Sequence, residues 1–140
     1  MAFYYFLIVI LLMEAVFIFR KGSSNKRKKV FLILSFYKFF LISAFRSSNI
    51  GTDTSSYLRF FQNWGMAESF FDINTRIEPG YILLNRIIYY FNPNNQSLLI
   101  ITSLIILYFF SYFLYKESKL IWLSVYLFIT LRFFYFTMSG

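Results

Sequence analysis

Residues 97–115 read SLLIITSLIILYFFSYFLY, a run without a single charge. A helix needs roughly 20 apolar residues to cross the hydrocarbon core of a bilayer, with a range of about 17 to 25. The stretch therefore predicts a membrane span, and three others resemble it. Ala2 to Phe19 and Val30 to Phe45 precede it, and Leu120 to Met138 follows it. The second is slightly short and needs flanking residues to extend it. The first has no basic residue ahead of its apolar run and no small-x-small site, so it does not read as a cleavable signal peptide.

Composition points the same way. The 140 residues are 59% hydrophobic and 25% aromatic, with only 14% charged, against about 25% in soluble domains. A soluble fold of this size could not bury that much apolar surface. The expected fold class is all-α integral membrane. One polytopic domain over residues 1–140 is expected, with four transmembrane helices and interfacial or re-entrant helices in a large outer loop.

Charge sets the expected topology. The net charge is +8, but six of the fourteen basic residues sit in residues 20–29: Arg20, Lys21, Lys26, Arg27, Lys28 and Lys29. Such a cluster is a topology signal and not a nucleic-acid signature; no nucleic-acid partner is expected. Basic loops stay in the cytoplasm, which puts the N-terminus outside. Binding of anionic lipid by this loop is compatible with that reading. Residues 46–96 then lie outside, with Arg46, Arg59, Arg76 and Arg86 balanced by Asp53, Glu68, Asp72 and Glu78. The chain returns to the cytoplasm at Lys116–Lys119 and ends outside. Pro79 to Phe91 is apolar, but 13 residues at 1.5 Å each reach about 20 Å, short of a core of about 30 Å. It reads as an interfacial or re-entrant helix.

Two helices are legible in the outer loop. Thr52 or Asp53 can cap a helix from Thr54 to about Trp64. Tyr57, Leu58, Phe61 and Trp64 recur on one face of it, with Ser55, Arg59, Gln62 and Asn63 largely away from that face. An amphipathic helix with Trp on its apolar side suits the membrane interface. A second helix starts at Pro79, favoured at a first helical position, with Glu78 beside the positive end of its dipole. Asn92-Pro93-Asn94-Asn95 then breaks the chain.

Absences narrow the chemistry. The chain has no Cys and no His, hence no thiol nucleophile, imidazole base or usual zinc site. No Walker-type glycine loop and no Asp-x-Asp pair occurs, so neither a metal nor another cofactor is expected. The outer loop offers Arg, Asp and Glu. Arginine matches phosphate oxygens in a bidentate fork, and a carboxylate can take a proton from a sugar hydroxyl. These groups suffice for glycosyl transfer from a lipid-linked diphosphate donor.

Gly51-Thr52-Asp53-Thr54-x-x-Tyr57, followed by Glu78-Pro79-Gly80-Tyr81-x-x-Leu84-Asn85, resembles the EpsG-type membrane proteins, Wzy-like polymerases of bacterial exopolysaccharide and capsule assembly. The resemblance runs from the basic loop through Gly140. Family members are longer, so the chain looks like the N-terminal portion of one and is expected to be incomplete as an enzyme. The resemblance implies a multi-pass protein of the bacterial inner membrane. If active, it would be a glycosyltransferase that moves repeat units between polyprenyl-diphosphate-linked oligosaccharides at the outer face. Its partners would be that glycolipid, the bilayer and other polysaccharide-assembly proteins. Candidate catalytic residues are Asp53 and Glu78, and candidate substrate-binding residues are Arg46, Arg59, Arg76 and Arg132.

Each candidate has a plain structural alternative. Asp53 can be a helix cap. Arg46 can anchor the second span, Arg59 can be solvated or bound to headgroups, and Arg76 can pair with Glu78. Gly51 and Gly80 read as backbone devices. Three charges fall inside the expected spans, where a charge at a helix centre costs about 2.5 to 3.5 kcal/mol. Glu14 and Lys38, on antiparallel neighbours, read as a structural ion pair. Arg132 lies in the outer half, able to snorkel outward or to reach a diphosphate. Two other classes compete. A transporter or flippase fragment would place function at Glu14, Lys38 and Arg132; a non-enzymatic assembly subunit would use its spans only for packing.

Overall fold

The computed structural model describes residues 2–47, 50, 53–67 and 78–131. Six helices account for most of them: α1 (Ala2–Phe19), α2 (Asn25–Ala44), α3 (Thr54–Met66), α4 (Pro79–Phe91), α5 (Asn95–Glu117) and α6 (Ile121–Thr130). No strand occurs among the described residues. The all-helical expectation holds, and the bounds of α1 and α4 fall where the sequence put them.

The second expected span is extended at its N-terminal end. Ser24 caps α2 by accepting from Arg27 N at 3.4 Å, so the helix begins five residues before Val30 and draws Lys26 to Lys29 into its first turns. Its 20 residues give a length of about 30 Å. Asn94 caps α5 by accepting from Gln96 N at 2.9 Å. The 23 residues of α5 form the one described helix long and apolar enough to cross a bilayer. The α1 helix and the ten described residues of α6 are apolar but shorter. The expected continuation of α6 to Met138 lies outside the described residues.

Two packing units result. In the first, α1, α2, α5 and α6 surround a core that includes Leu7, Leu11, Phe31, Phe39, Leu107 and Val125. Phe128 of α6 stacks on Phe110 of α5 at 4.0 Å and tilts against Phe39 of α2 at 6.0 Å. Contacts run in opposite senses along neighbours: Phe19 meets Phe31 at 5.6 Å while Glu14 meets Lys38. Lys29 lies 5.4 Å over the Tyr115 ring while Ser43 bonds Ser103 at 2.7 Å. Thus α1 and α5 both run antiparallel to α2. The outward faces stay apolar: Phe17, Phe109 and Phe113 are all exposed, as a lipid-facing surface permits.

In the second unit, α3 and α4 pack on each other and on the start of α5, around Leu58, Phe61, Ile88, Leu98 and Leu99. Here the contacts gather around the middle of α3. Tyr57 meets Tyr81 at 5.9 Å, Phe61 meets Tyr89 at 5.4 Å, and Gly65 faces the Tyr89 ring. Tyr81 also meets Trp64, far along α3, at 6.0 Å, so the two helices cross, and Tyr57 and Tyr81 join their first turns. Gln62 ties α3 to the α4–α5 connection by donating to Pro93 O at 2.9 Å and to Asn95 Oδ1 at 2.7 Å.

Candidate functional site

The two halves of the sequence motif meet in this second unit. Leu58, Phe61 and Trp64 are buried on the apolar face of α3, and Tyr57 is half-buried beside them. Ser55, Arg59 and Asn63 are exposed. Four aromatic rings join the halves. Tyr81 takes Tyr57 and Trp64 edge-on at 5.9 and 6.0 Å, and Phe60 stacks on Trp64 at 5.1 Å. Burial raises the pKa of the Tyr81 phenol; hydrogen bonding from the Asn85 side chain opposes this in part, and the neighbouring Tyr57 adds a smaller upward push. Tyr81 is therefore a neutral hydrogen-bonding group at any physiological pH.

Asp53 and Glu78 occupy the N-cap positions of α3 and α4 and are both exposed. Neither side chain makes a capping hydrogen bond. The backbone of Asp53 shows why: φ −108° and ψ −4° are not the extended conformation that turns a cap side chain onto its helix. Thr54 acts locally instead, donating from Oγ1 to Ile50 O at 2.8 Å. Each carboxylate thus stands at the N-terminal, positive end of its own helix dipole. Pro79 at the first turn of α4 needs no hydrogen bond from its nitrogen.

The arginines differ. Arg46, just past α2, is half-buried, and its Nε has no hydrogen-bond partner. Burial lowers its pKa, yet a guanidinium starts so high that it stays charged. It is a partly desolvated cation with a donor in reserve. Arg59 is exposed and reaches only Ser56 Oγ, at 3.4 Å. Arg76 and Arg132 lie outside the described residues, and so does the suggested pairing of Arg76 with Glu78.

Three site features escaped the sequence reading. Asn85 is fully buried. Its Nδ2 donates to Tyr81 O at 2.7 Å, and its Oδ1 has no partner. Its signal was available: an amide one turn after Tyr81 in an otherwise apolar helix. Arg86 donates to Ala67 O at 3.0 Å and ties α4 to the end of α3; no local pattern forecasts that contact. The aromatic cluster around Tyr81 needed the pairing of two separate segments to be seen. Among the described residues, no three acidic side chains gather as a metal site would require.

Fold and site together define an all-helical protein with a helix able to cross a membrane and an amphipathic helix pair that carries exposed carboxylates. The EpsG family model matches residues 29–140, which includes both motif halves and everything from the end of the basic loop onward. The chain belongs to the EpsG family. That membership makes it a membrane-associated protein of polysaccharide biosynthesis with a function related to polysaccharide polymerisation. No curated protein and no solved structure matches the chain.

Proposed function

We propose that the α3–α4 unit is the catalytic side of a polysaccharide polymerase of the inner membrane, facing outward. The observation that carries this reading is the joining of the two motif halves through Tyr57 and Tyr81, with Asp53 and Glu78 exposed and uncapped at the N-termini of the two helices. The substrates are oligosaccharide repeat units on polyprenyl diphosphate. The acceptor hydroxyl oxygen attacks the anomeric carbon of the donor sugar, and the bond from that carbon to the diphosphate breaks. Asp53 takes the hydroxyl proton, with Glu78 as the rival base. The polyprenyl diphosphate leaves with one more negative charge. Arg46 is the residue proposed to hold that charge, with Arg59, Arg76 and Arg132 as further candidates. The half-buried position of Arg46 supports this role, because a partly desolvated cation attracts phosphate more strongly than a hydrated one. Other polysaccharide-assembly proteins are proposed partners.

The topology belongs to the same proposal. Four spans built on α1, α2, α5 and α6 put residues 20–29 and Lys116–Lys119 in the cytoplasm and the α3–α4 unit outside, by the distribution of Lys and Arg. The chain has no Cys, so single cysteines report without background. Asn63→Cys should be labelled from outside by an impermeant thiol reagent, and Ser118→Cys only after the membrane is opened. Labelling of Ser118→Cys in intact cells overturns this arrangement.

The chemistry is tested by polymer length and amount in cells lacking the native gene, with expression matched by blotting. Proton transfer by a placed side chain contributes about 10² to 10⁴-fold, so loss of the base should abolish visible polymer. Asp53→Asn keeps the shape and removes the base. Wild-type polymer from both Asp53→Asn and Glu78→Gln would remove both carboxylates from the mechanism. Loss in Asp53→Ala but not in Asp53→Asn would reduce Asp53 to a backbone role.

A further inference from the structure

At the opposite end of the bundle, α1 and α2 enclose a second polar feature that plays no part in that chemistry. A pocket of about 350 Å³ opens there between the helix ends. Its polar wall is Arg20, Lys21, Lys26 and Arg27, and its apolar wall is Phe17, Ile18 and Val30. No carboxylate among the described residues pairs with these four cations. The one acid on α1, Glu14, is held by Lys38. Four like charges around one cavity repel each other until an anion enters.

The pocket is also shaped in advance. Arg27 donates through one Nη to Lys21 O at 2.6 Å and to Gly22 O at 2.7 Å, folding the 20–24 loop back onto α2. Gly22 makes the turn with φ +92°, a conformation other side chains rarely adopt. Arg20 is steadied 5.4 Å over the Phe17 ring. The first turn of α2 adds its dipole to the field. Four of the seven lining residues are basic, yet most of the lining surface is apolar, so the cavity suits a ligand with an anionic head and a greasy continuation.

We propose that this pocket binds the phosphate headgroup of an anionic phospholipid, with the glycerol and first methylenes lying against Phe17, Ile18 and Val30. The chemistry recognised is a phosphate ester. A lipid and a small phosphate share it, but only the lipid uses the apolar wall. The site is independent of the reading given to α3 and α4. General attraction of a basic loop to an anionic surface predicts that every lysine of the loop counts equally; a pocket predicts that they do not.

That difference is the test. The purified chain in neutral detergent is titrated with phosphatidylglycerol or phosphatidylcholine, and bound lipid is counted by native mass spectrometry. Phosphatidylglycerol should be retained in preference. Lys21→Gln with Lys26→Gln removes two pocket charges and should weaken retention about tenfold or more. Lys28→Gln with Lys29→Gln removes the same charge from the same basic cluster but outside this pocket, and should change retention less than threefold. Equal loss in the two double variants, or no preference for the anionic lipid, overturns the proposal. Displacement of the lipid by equimolar glycerol phosphate or inorganic phosphate also overturns it, since the site would then be one for small anions. If circular dichroism shows the pocket double variant unfolded, Lys21→Gln and Lys26→Gln are measured singly. Each should lose about threefold, and no loss in either refutes the site.

Discussion

The four-helix bundle and the α3–α4 pair treat polar groups in opposite ways. In the bundle, polar side chains find partners: Glu14 with Lys38, Ser43 with Ser103, and Gln96 with the last carbonyl of α2 at Ala44. Ser35 is the exception, with an unpartnered Oγ, though a serine hydroxyl can turn toward the carbonyl of the preceding helical turn. In and beside the pair, polar groups are left open. Asp53 and Glu78 cap nothing, Arg46 Nε lacks an acceptor, and Asn85 Oδ1 lacks a donor. Surface shape follows the same division. Away from their charged ends, the bundle helices expose mostly apolar side chains, whereas α3 buries one face and exposes Arg59 and Asn63 on the other. Satisfied polar groups in an apolar setting hold a structure together. Open ones on an amphipathic scaffold are where a ligand can be met.

The contrast can be broken most forcefully at Glu14. Glu14 and Lys38 are each about a quarter exposed, and the proposed topology puts that remainder in lipid. Glu14→Gln strands an ammonium and should cost about 2.5 to 3.5 kcal/mol. The double variant Glu14→Gln with Lys38→Met should recover most of that, because replacing both partners of a buried pair is often neutral. Unfolding in detergent, followed by circular dichroism, gives the comparison. Equal stability of single and double variants would show that the pair does not join α1 to α2.

A middle-sized effect is expected at Gly65. A Cβ there would land on the ring of Tyr89, so α3 and α4 approach as closely as they do only because this position is glycine. Gly65→Ala should destabilise the pair by about 1 to 3 kcal/mol through overpacking and leave the bundle intact. Adding Tyr89→Leu should restore part of the loss. Hydrogen exchange resolves the two units. Faster exchange in α3 and α4 but not in α2 and α5 is the expected pattern, and a uniform change would mean that the molecule opens as one body.

Much of this architecture was legible from residues alone, and the reasons are physical. Apolar length gave α1 and α5 because backbone in lipid must bond to itself. Pro79 and the 92–95 break bounded α4, since proline and asparagine act locally. The Glu14–Lys38 pair followed from depth arithmetic on two antiparallel helices. Cap chemistry was less legible. Asp53 sits at the expected position, but its backbone turns the side chain away, and φ and ψ are not written in residue type. The Tyr81 cluster was hidden because it joins positions far apart in sequence. Gly65 was unreadable for the same reason: its need for space arises on another helix. The family resemblance quoted Asn85, yet only the fold shows it sealed from solvent with an open acceptor.

Asn85 offers the smallest stability change and the sharpest test of the contrast. Its buried Oδ1 lowers stability, because a carbonyl denied both water and a donor costs about 1 to 3 kcal/mol. Its Nδ2 returns part of that by donating to Tyr81 O. Leucine fills nearly the same volume with neither group, so Asn85→Leu should leave the unfolding transition within about 1 kcal/mol of wild type. A residue kept for stability would not behave that way. On the reading of α3 and α4 as the polymerase site, Asn85 is a positioning residue: it acts through Tyr81, whose ring meets Tyr57 and Trp64. Polymer output should therefore fall well below wild type in Asn85→Leu at matched expression, with the fold unchanged. Asn85→Gln, which keeps the amide but lengthens its reach, should rescue output only in part. Unchanged polymer would make the open acceptor a tolerated packing defect. A stability loss as large as that of Glu14→Gln would mean that polar groups in the pair do the same work as those in the bundle.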